Sequence, residues 1–303
     1  MADIVHREGK AEAADEAVPA ALHWVKDAPL FIDDDNVERF YDAMVRPAFK
    51  EDTPLKLKLS AARKKELEGK LGAKGKFGLA SWISTILGAA EIEASAEAKA
   101  SGSTSNTEEQ EITLSPISTP QRKLVQLVVY YLLNQPERLL AGNIDAPLVW
   151  QRDSESAEVP RALVFLDLPP ETKFVPMAAE FENGKVTTLF AELRGSAKEP
   201  PPQFVHEKKQ EYWGWFAKNF DAGQCTDVIE KASGENGKIE WIDFRVPLND
   251  KVDTMHLHFE ARRRYFTGAL AYMIVRRGVG HGLRLVGTLK DGPDINVLAL
   301  YEK

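Results

Sequence analysis

Between Leu79 and Leu114 the spacing of apolar residues changes from one period to another, and few folds accommodate both. Leu79, Trp82, Ile83, Ile86, Leu87 and Ala90 fall at i, i+3, i+4, i+7, i+8 and i+11, one continuous stripe on an α-helix. Immediately afterwards Ile92, Ala94, Ala96, Ala98 and Ala100 alternate with Glu91, Glu93, Ser95, Glu97 and Lys99. Gly102 to Asn106 supplies turn chemistry, and Glu109 to Leu114 returns, which predicts a hairpin with one alanine-lined face. The Ala/Glu/Lys content of Glu91 to Ala100 would suit a charged helix by propensity, but the unbroken alternation favours a strand. An all-helical bundle has no use for a period of two, and an all-β sandwich has none for 3.6; with the hairpins and helices of the second half, the expected class is α+β.

The same two periods recur along the chain. Pro29 to Ile32 is a short apolar strand, followed by Asp33, Asp34 and Asp35 and a helix from Val37, so the aspartates read as caps at a helix N-terminus. Neighbouring positions on a helix start diverge, which argues against one metal ion held by all three. Leu55, Leu57 and Leu59 alternate as a strand, and Ala61 to Leu71 reads as a helix. Ser118-Thr119-Pro120 opens a helix that Pro136 stops. After a polar boundary at Arg152 to Val159, Arg161 to Leu168 is an apolar strand closed by Pro169 and Pro170. Phe174 to Phe181 and Lys185 to Leu193 make a hairpin around Asn183-Gly184. A proline-rich linker, Glu199 to Pro202, leads to a helix over Phe204 to Phe220. Ile239 to Val246 is a strand, Ala261 to Val275 an amphipathic helix, and Arg284 to Leu289 with Ile295 to Tyr301 a terminal hairpin.

The expected architecture is therefore mixed or antiparallel sheets with hairpins packed against helices. It forms two subdomains, 28–151 and 160–303, behind a mobile acidic lead at 1–27. A length of 303 residues accords with about two domains.

The formal charge is −7, so the chain as a whole repels polyanions, and any contact with nucleic acid or lipid headgroups must come from a local patch. Cys225 is the single cysteine, which excludes an intramolecular disulfide and a cysteine-built zinc site and suits a reducing, cytoplasmic setting. Met1 to Ala21 lacks the apolar core of a secretory signal, and neither Phe77 to Ala90 nor Leu124 to Pro136 reaches the ~20 residues a membrane-spanning helix needs.

Charge is strongly segregated. Between Lys56 and Lys76, seven lysines and Arg63 stand against Glu66 and Glu68, eight minus two, or +6. Lys64, Lys65, Lys70, Lys74 and Lys76 then abut the stripe that carries Trp82, Ile83 and Ile86, the arrangement of a surface that docks on a protein partner or lies against a membrane. The face opposite the stripe is Ser81, Ser84, Thr85 and Gly88, small and neutral, which suits close packing in a core equally well. Arg262, Arg263 and Arg264, with Arg276 and Arg277 fourteen residues further on, make a second positive patch, either a contact for phosphates and acidic partners or a solvated helix face.

Candidate catalytic groups are sparser. His256, His258 and Glu260 at i, i+2 and i+4 would share one face of a strand, a geometry open to a divalent metal but without a fourth ligand in view; the competing reading is a polar face opposite Met255, Leu257 and Phe259. Asp167, Glu180 and Glu192 fit a loose acidic pattern of metal-dependent nucleases, although Arg194 stands where a lysine is required. Gly278, Gly280 and Gly282 follow a helix, the wrong context for a dinucleotide loop, and read as a flexible connection. Walker A, Gly-x-Ser-x-Gly, His-Glu-x-x-His and kinase motifs do not occur, and nothing calls for a cofactor.

Leu30-Phe31-Ile32-Asp33, the helix Val37 to Met44 and the Gly/Ala/Ser/Glu-rich stretch Gly69 to Thr107 together resemble a bacterial family of unknown function found as the small component of the Dodola antiphage system, beside a ClpB-like ATPase. The resemblance covers about the first third of the chain. It implies a bacterial cytoplasmic protein acting in defence, with no assigned catalytic residue and a ClpB-like ATPase or a second copy as partner. The resulting expectation leans away from an enzyme, towards a binding or effector protein using the basic segment and the stripe. A metal-dependent hydrolase built on the acidic residues of the second half is the alternative.

Overall fold

The computed structural model describes residues 23–48, 55–59, 110–114, 119–135, 138–143, 162–203, 205, 209–247, 254–261, 267–289 and 294–303. The chain is an α+β protein that divides into two units: Met1–Ala28 with Glu38–Ala141, and Pro29–Val37 with Gly142–Lys303. The opening strand therefore groups with the C-terminal residues, whereas the sequence pattern places it with 28–151. The reason is register: β1 (Phe31–Ile32) pairs antiparallel with Leu300 and Ala299 near the chain's end. The polar boundary at 152–159 lies outside the described residues.

In the first unit, α2 (Pro120–Asn134) starts at the predicted proline and buries Leu124, Leu127, Val128, Tyr131 and Leu132. The later turns of α1 (Asp34–Met44) are tied to it. The Tyr41 hydroxyl donates to buried Gln126 Oε1 at 2.9 Å, and Lys123 Nζ reaches Glu38 Oε1 at 2.8 Å. Gln121 Nε2 donates to the Lys26 and Asp27 carbonyls. The two-stranded ribbon pairs β2 (Leu55–Leu59) with β3 (Gln110–Leu114), setting Leu57 opposite Ile112 and Lys58 opposite Glu111. β3 forms as expected, but its described partner is the Leu55 strand; the alanine-rich stretch 91–100 and the helix expected over 61–71 lie outside the described residues.

A nine-stranded sheet has all its strands in the second unit except β4 (Leu139–Asn143), of which Leu139 to Ala141 fall in the first. Its strands are β4 (Leu139–Asn143), β5 (Ala162–Leu168), β6 (Val175–Phe181), β7 (Val186–Thr187), β8 (Ile239–Pro247), β9 (Thr254–Glu260), β10 (Leu283–Leu289) and β11 (Asp294–Glu302), with β1 on β11. The order is β4-β5-β10-β11-β9-β8-β6-β7. Every pairing with a described register is antiparallel except β11 with β9, which run parallel over three residue pairs, Asp294 with His256 to Asn296 with His258.

β8 and β9 read as the alternation predicts. Ile242, Phe244, Val246, Met255, Leu257 and Phe259 are buried on one face, while Trp241, Asp243, Arg245, His256, His258 and Glu260 are half-buried on the other. The Phe244 ring stands edge-on to Phe174 and Phe259, with centroids 6.1 and 5.7 Å away. The helices bring a second aromatic cluster, Phe190, Trp215, Phe216 and Phe220, all buried.

Helix boundaries depart from expectation in several places. Lys185 to Leu193 is not one strand: β7 stops at Thr187 and α3 (Leu189–Ser196) follows, because Leu189, Phe190 and Leu193 form a helical face and are buried on it. The predicted helix over 204–220 is α4 (Lys209–Asn219). α5 (Ala222–Asn236) has no counterpart in the sequence reading; Asp221 accepts from Gln224 N and Gln224 returns to the Asp221 amide, a reciprocal cap, and Cys225, Ile229 and Ala232 are buried. α6 runs from Gly268 to Gly280, past the expected end at Val275, and is capped by Thr267 Oγ1 on the Leu270 amide at 3.2 Å; residues 262–266 of the expected helix lie outside the described residues. Gly278 and Gly280 thus belong to the helix, and Gly282, at φ +77, ends it with its N–H donating a hydrogen bond to Arg277 O.

Candidate functional site

The half-buried polar face of β8 and β9 holds a set of interacting ionisable groups. Cross-strand register places Trp241 beside Glu260, Asp243 beside His258 and Arg245 beside His256. On the flanks it sets Glu180 beside Trp241 and Asp294 beside His256. Two-residue periodicity puts Trp241, Asp243 and Arg245 on one face of β8 and His256, His258 and Glu260 on one face of β9, and the register between the strands sets them side by side.

Asp243 is the centre. Its Oδ1 lies 2.6 Å from His258 Nδ1 and 3.3 Å from His256 Nε2, while His256 Nδ1 faces Asp294 Oδ1 at 3.6 Å. Burial alone would push the Asp243 carboxyl up, but the hydrogen bonds from His256 and His258 and their charge outweigh it and hold the group at about 2. The His258 ring also lies against Trp241, centroids 5.7 Å apart, and the Trp241 indole N–H donates to Glu180 Oε2. An imidazole fixed by a carboxylate is suited to proton transfer or to hydrogen bonding a ligand through its second nitrogen.

The face does not assemble a metal centre. Among the described residues no three His, Cys, Asp or Glu side chains are placed to hold an ion. His256 and His258 share the face as the spacing predicts, but both turn to Asp243, and Glu260 instead accepts from Asn36 Nδ2 at 3.2 Å.

The acidic triplet expected of a nuclease is dispersed. Four strands lie between β5, which carries Asp167, and β6, which carries Glu180, a separation of about 24 Å at ~4.8 Å per step. Asp167 is paired with Arg284 at 3.5 Å and with Lys303, Glu180 with Trp241, and Glu192 on α3 with Lys231 at 3.0 Å. The Cys225 thiol is buried, which pushes it up to about 12, so it is inert. Arg277 pairs with Glu302, and Arg276 lies over the Tyr272 ring at 5.5 Å and donates to its hydroxyl. Arg262, Arg263 and Arg264 lie outside the described residues, as do Lys64, Lys65, Lys70, Lys74, Lys76, Trp82, Ile83 and Ile86.

Asp243 and Asp294 escape a sequence reading because their roles come from the β8–β9 register and the short parallel β9–β11 pairing, both non-local. The one local signal is the alternation of Trp241, Asp243 and Arg245 with Ile242, Phe244 and Val246.

The fold and the cluster define an α+β protein with a polar, imidazole-bearing sheet face. Comparison with protein-family models, with curated proteins and with solved structures gives no match. No helix among the described residues is long and apolar enough to cross a membrane.

The cluster makes a stability prediction. Because the Asp243 carboxyl sits below its unfolded value of 3.8, it stabilises the fold above about pH 4, and that contribution is lost as pH falls towards 2. Asp243→Asn is expected to cost about 2 kcal/mol at pH 6, with the gap to the parent closing below pH 4, in urea titrations across that range. A gap that stays constant with pH would deny the ion-paired role.

Proposed function

We propose that the protein is a non-enzymatic binding protein of the bacterial cytoplasm. It engages an acidic partner through the basic segment Lys56–Lys76 and the adjoining stripe of Trp82, Ile83 and Ile86. The observation that carries this reading is charge segregation: a +6 segment in a −7 chain, set directly against an apolar helical stripe. The cations attract the partner at range, and the apolar ridge supplies contact area once they meet. Following the family resemblance, the partner is a ClpB-like ATPase or a second copy of this chain, and the process is antiphage defence, with peripheral contact with an anionic membrane on activation. The described residues lend support in that Asp167, Glu180 and Glu192, the acids of the hydrolase alternative, are each paired with another side chain, and Cys225 is in the core.

The test replaces Lys64, Lys65, Lys70 and Lys74 with glutamine. Binding to anionic vesicles at low salt, and to the ATPase by co-purification, is expected to weaken at least ~10-fold, since each lysine near an anionic surface is worth ~1 kcal/mol. Trp82→Ser should weaken it further. A quadruple variant that binds both as the parent does would remove the basic segment from the function. Unchanged soluble partitioning of the parent with anionic vesicles would remove the membrane branch alone.

A further inference from the structure

Where the opening strand meets its helix, two carboxyls from distant parts of the chain share a single side-chain amide. Asp33 is 3 % exposed. Its Oδ1 accepts from the Asn36 backbone N–H at 3.0 Å and its Oδ2 from Asn36 Nδ2 at 2.6 Å. The same Asn36 Nδ2 donates to Glu260 Oε2 of β9 at 3.2 Å. Asp33 also anchors the segment through its backbone: its N–H donates to Leu298 O of β11, and its carbonyl accepts from Val37 N.

We propose that Asp33, Asn36 and Glu260 form a proton-operated latch that fastens β1 and the first turn of α1 onto β9 and β11 when Asp33 is protonated, and loosens them when it ionises. The charged groups acting on Asp33 are Glu260 from β9 and Asp35 from α1, both negative, and β11 presents Val297, Leu298 and Ala299 there, none of which titrates. A neutral carboxyl still accepts hydrogen bonds, so the cap survives protonation while the like-charge contact with Glu260 disappears.

The direction follows from the environment. Burial is the main cause that moves the Asp33 carboxyl from 3.8 to about 6; the Asn36 hydrogen bonds work against it, and Glu260 and Asp35 with it. A carboxyl raised on folding favours the docked state below pH 4 and withdraws that support as pH climbs through about 6. A rise of that size changes the opening equilibrium by up to ~100-fold.

Amide hydrogen exchange, converted to protection factors, tests this at Leu30, Asp33, Asn36 and Val37. Protection there is expected to fall by up to ~100-fold between pH 4 and 7.5, while amides in the middle of β10 and β11 stay level. Asp33→Ser, which keeps a capping oxygen without the charge, should abolish the step, and Glu260→Gln should move its midpoint to lower pH. In the unaltered chain, the Asp33 carboxyl carbon, followed by NMR, should titrate near 6. A carboxyl titrating below pH 5, or a step that survives in Asp33→Ser, overturns the latch.

Discussion

Phe244→Ala is expected to lower the unfolding free energy of the second unit by about 4 kcal/mol, the middle of the range for emptying an aromatic position in a packed core. Phe244 is fully buried on β8, and its ring stands edge-on to both Phe174 and Phe259. Neither neighbour can close the void cheaply. Phe259 makes its own ring contact with Phe31 at 5.5 Å, and Phe174 leaves no room for so much as a Cβ at Gly278 of α6. Truncation therefore leaves a cavity instead of a collapse, and the cost is the lost transfer energy plus the unfilled space. Urea titration followed by near-ultraviolet circular dichroism measures it. Phe244→Leu, which keeps most of the volume, should cost about 1.5 kcal/mol or less. A loss below about 1.5 kcal/mol for the alanine variant would mean that the two aromatic neighbours relax into the gap.

The same face of β8 shows where a sequence of this kind is readable. Strands announce themselves through local alternation: Ile242, Phe244 and Val246 inward, Trp241, Asp243 and Arg245 outward, and the same in Met255 to Glu260. The Asp33 cap is equally local, because a helix N-terminus needs an acceptor just before its first free amides. Pairing is not local. Nothing near His256 names Asp243 or Asp294, and nothing near Phe31 names Leu300. For that reason the strand order, the assignment of β1 to the second unit and the acid–imidazole cluster emerge only from the structure. Helices with thin apolar faces fare worst. α5 contains Gly223 and Gly234 and buries little more than Cys225, Ile229 and Ala232, so propensity and periodicity are both weak, and its reciprocal cap at Asp221 and Gln224 is its main signature. The candidate binding segment is legible as charge and stripe, and those residues lie outside the described structure.

The glycine after α6 carries the last expectation: Gly282→Ala should destabilise the second unit by about 3 kcal/mol, adding left-handed strain to a clash with main chain. Gly282 sits at φ +77, and a Cβ there would lie 2.3 Å from Leu168 O, 2.8 Å from Pro169 C and 2.9 Å from Pro170 N. All three are backbone atoms at the end of β5, locked by the β5–β10 register that sets Leu283 opposite Leu168. They can yield only by moving the strand. Gly278 provides the contrast. Its Cβ would meet the Phe174 ring at 2.3 Å and Thr172 O at 3.1 Å, but as a helical residue it adds no left-handed strain, so Gly278→Ala should cost less, about 2 kcal/mol. Gly282→Asn separates the two contributions, because asparagine tolerates the left-handed region yet carries the same Cβ. If contact with β5 dominates, the asparagine and alanine variants unfold at nearly the same urea concentration; if backbone strain dominates, asparagine recovers most of the loss. An alanine variant within about 1 kcal/mol of the parent would mean that the Leu168–Pro170 turn gives way, and that the close approach of α6 to the end of β5 is not what fixes the helix against the sheet.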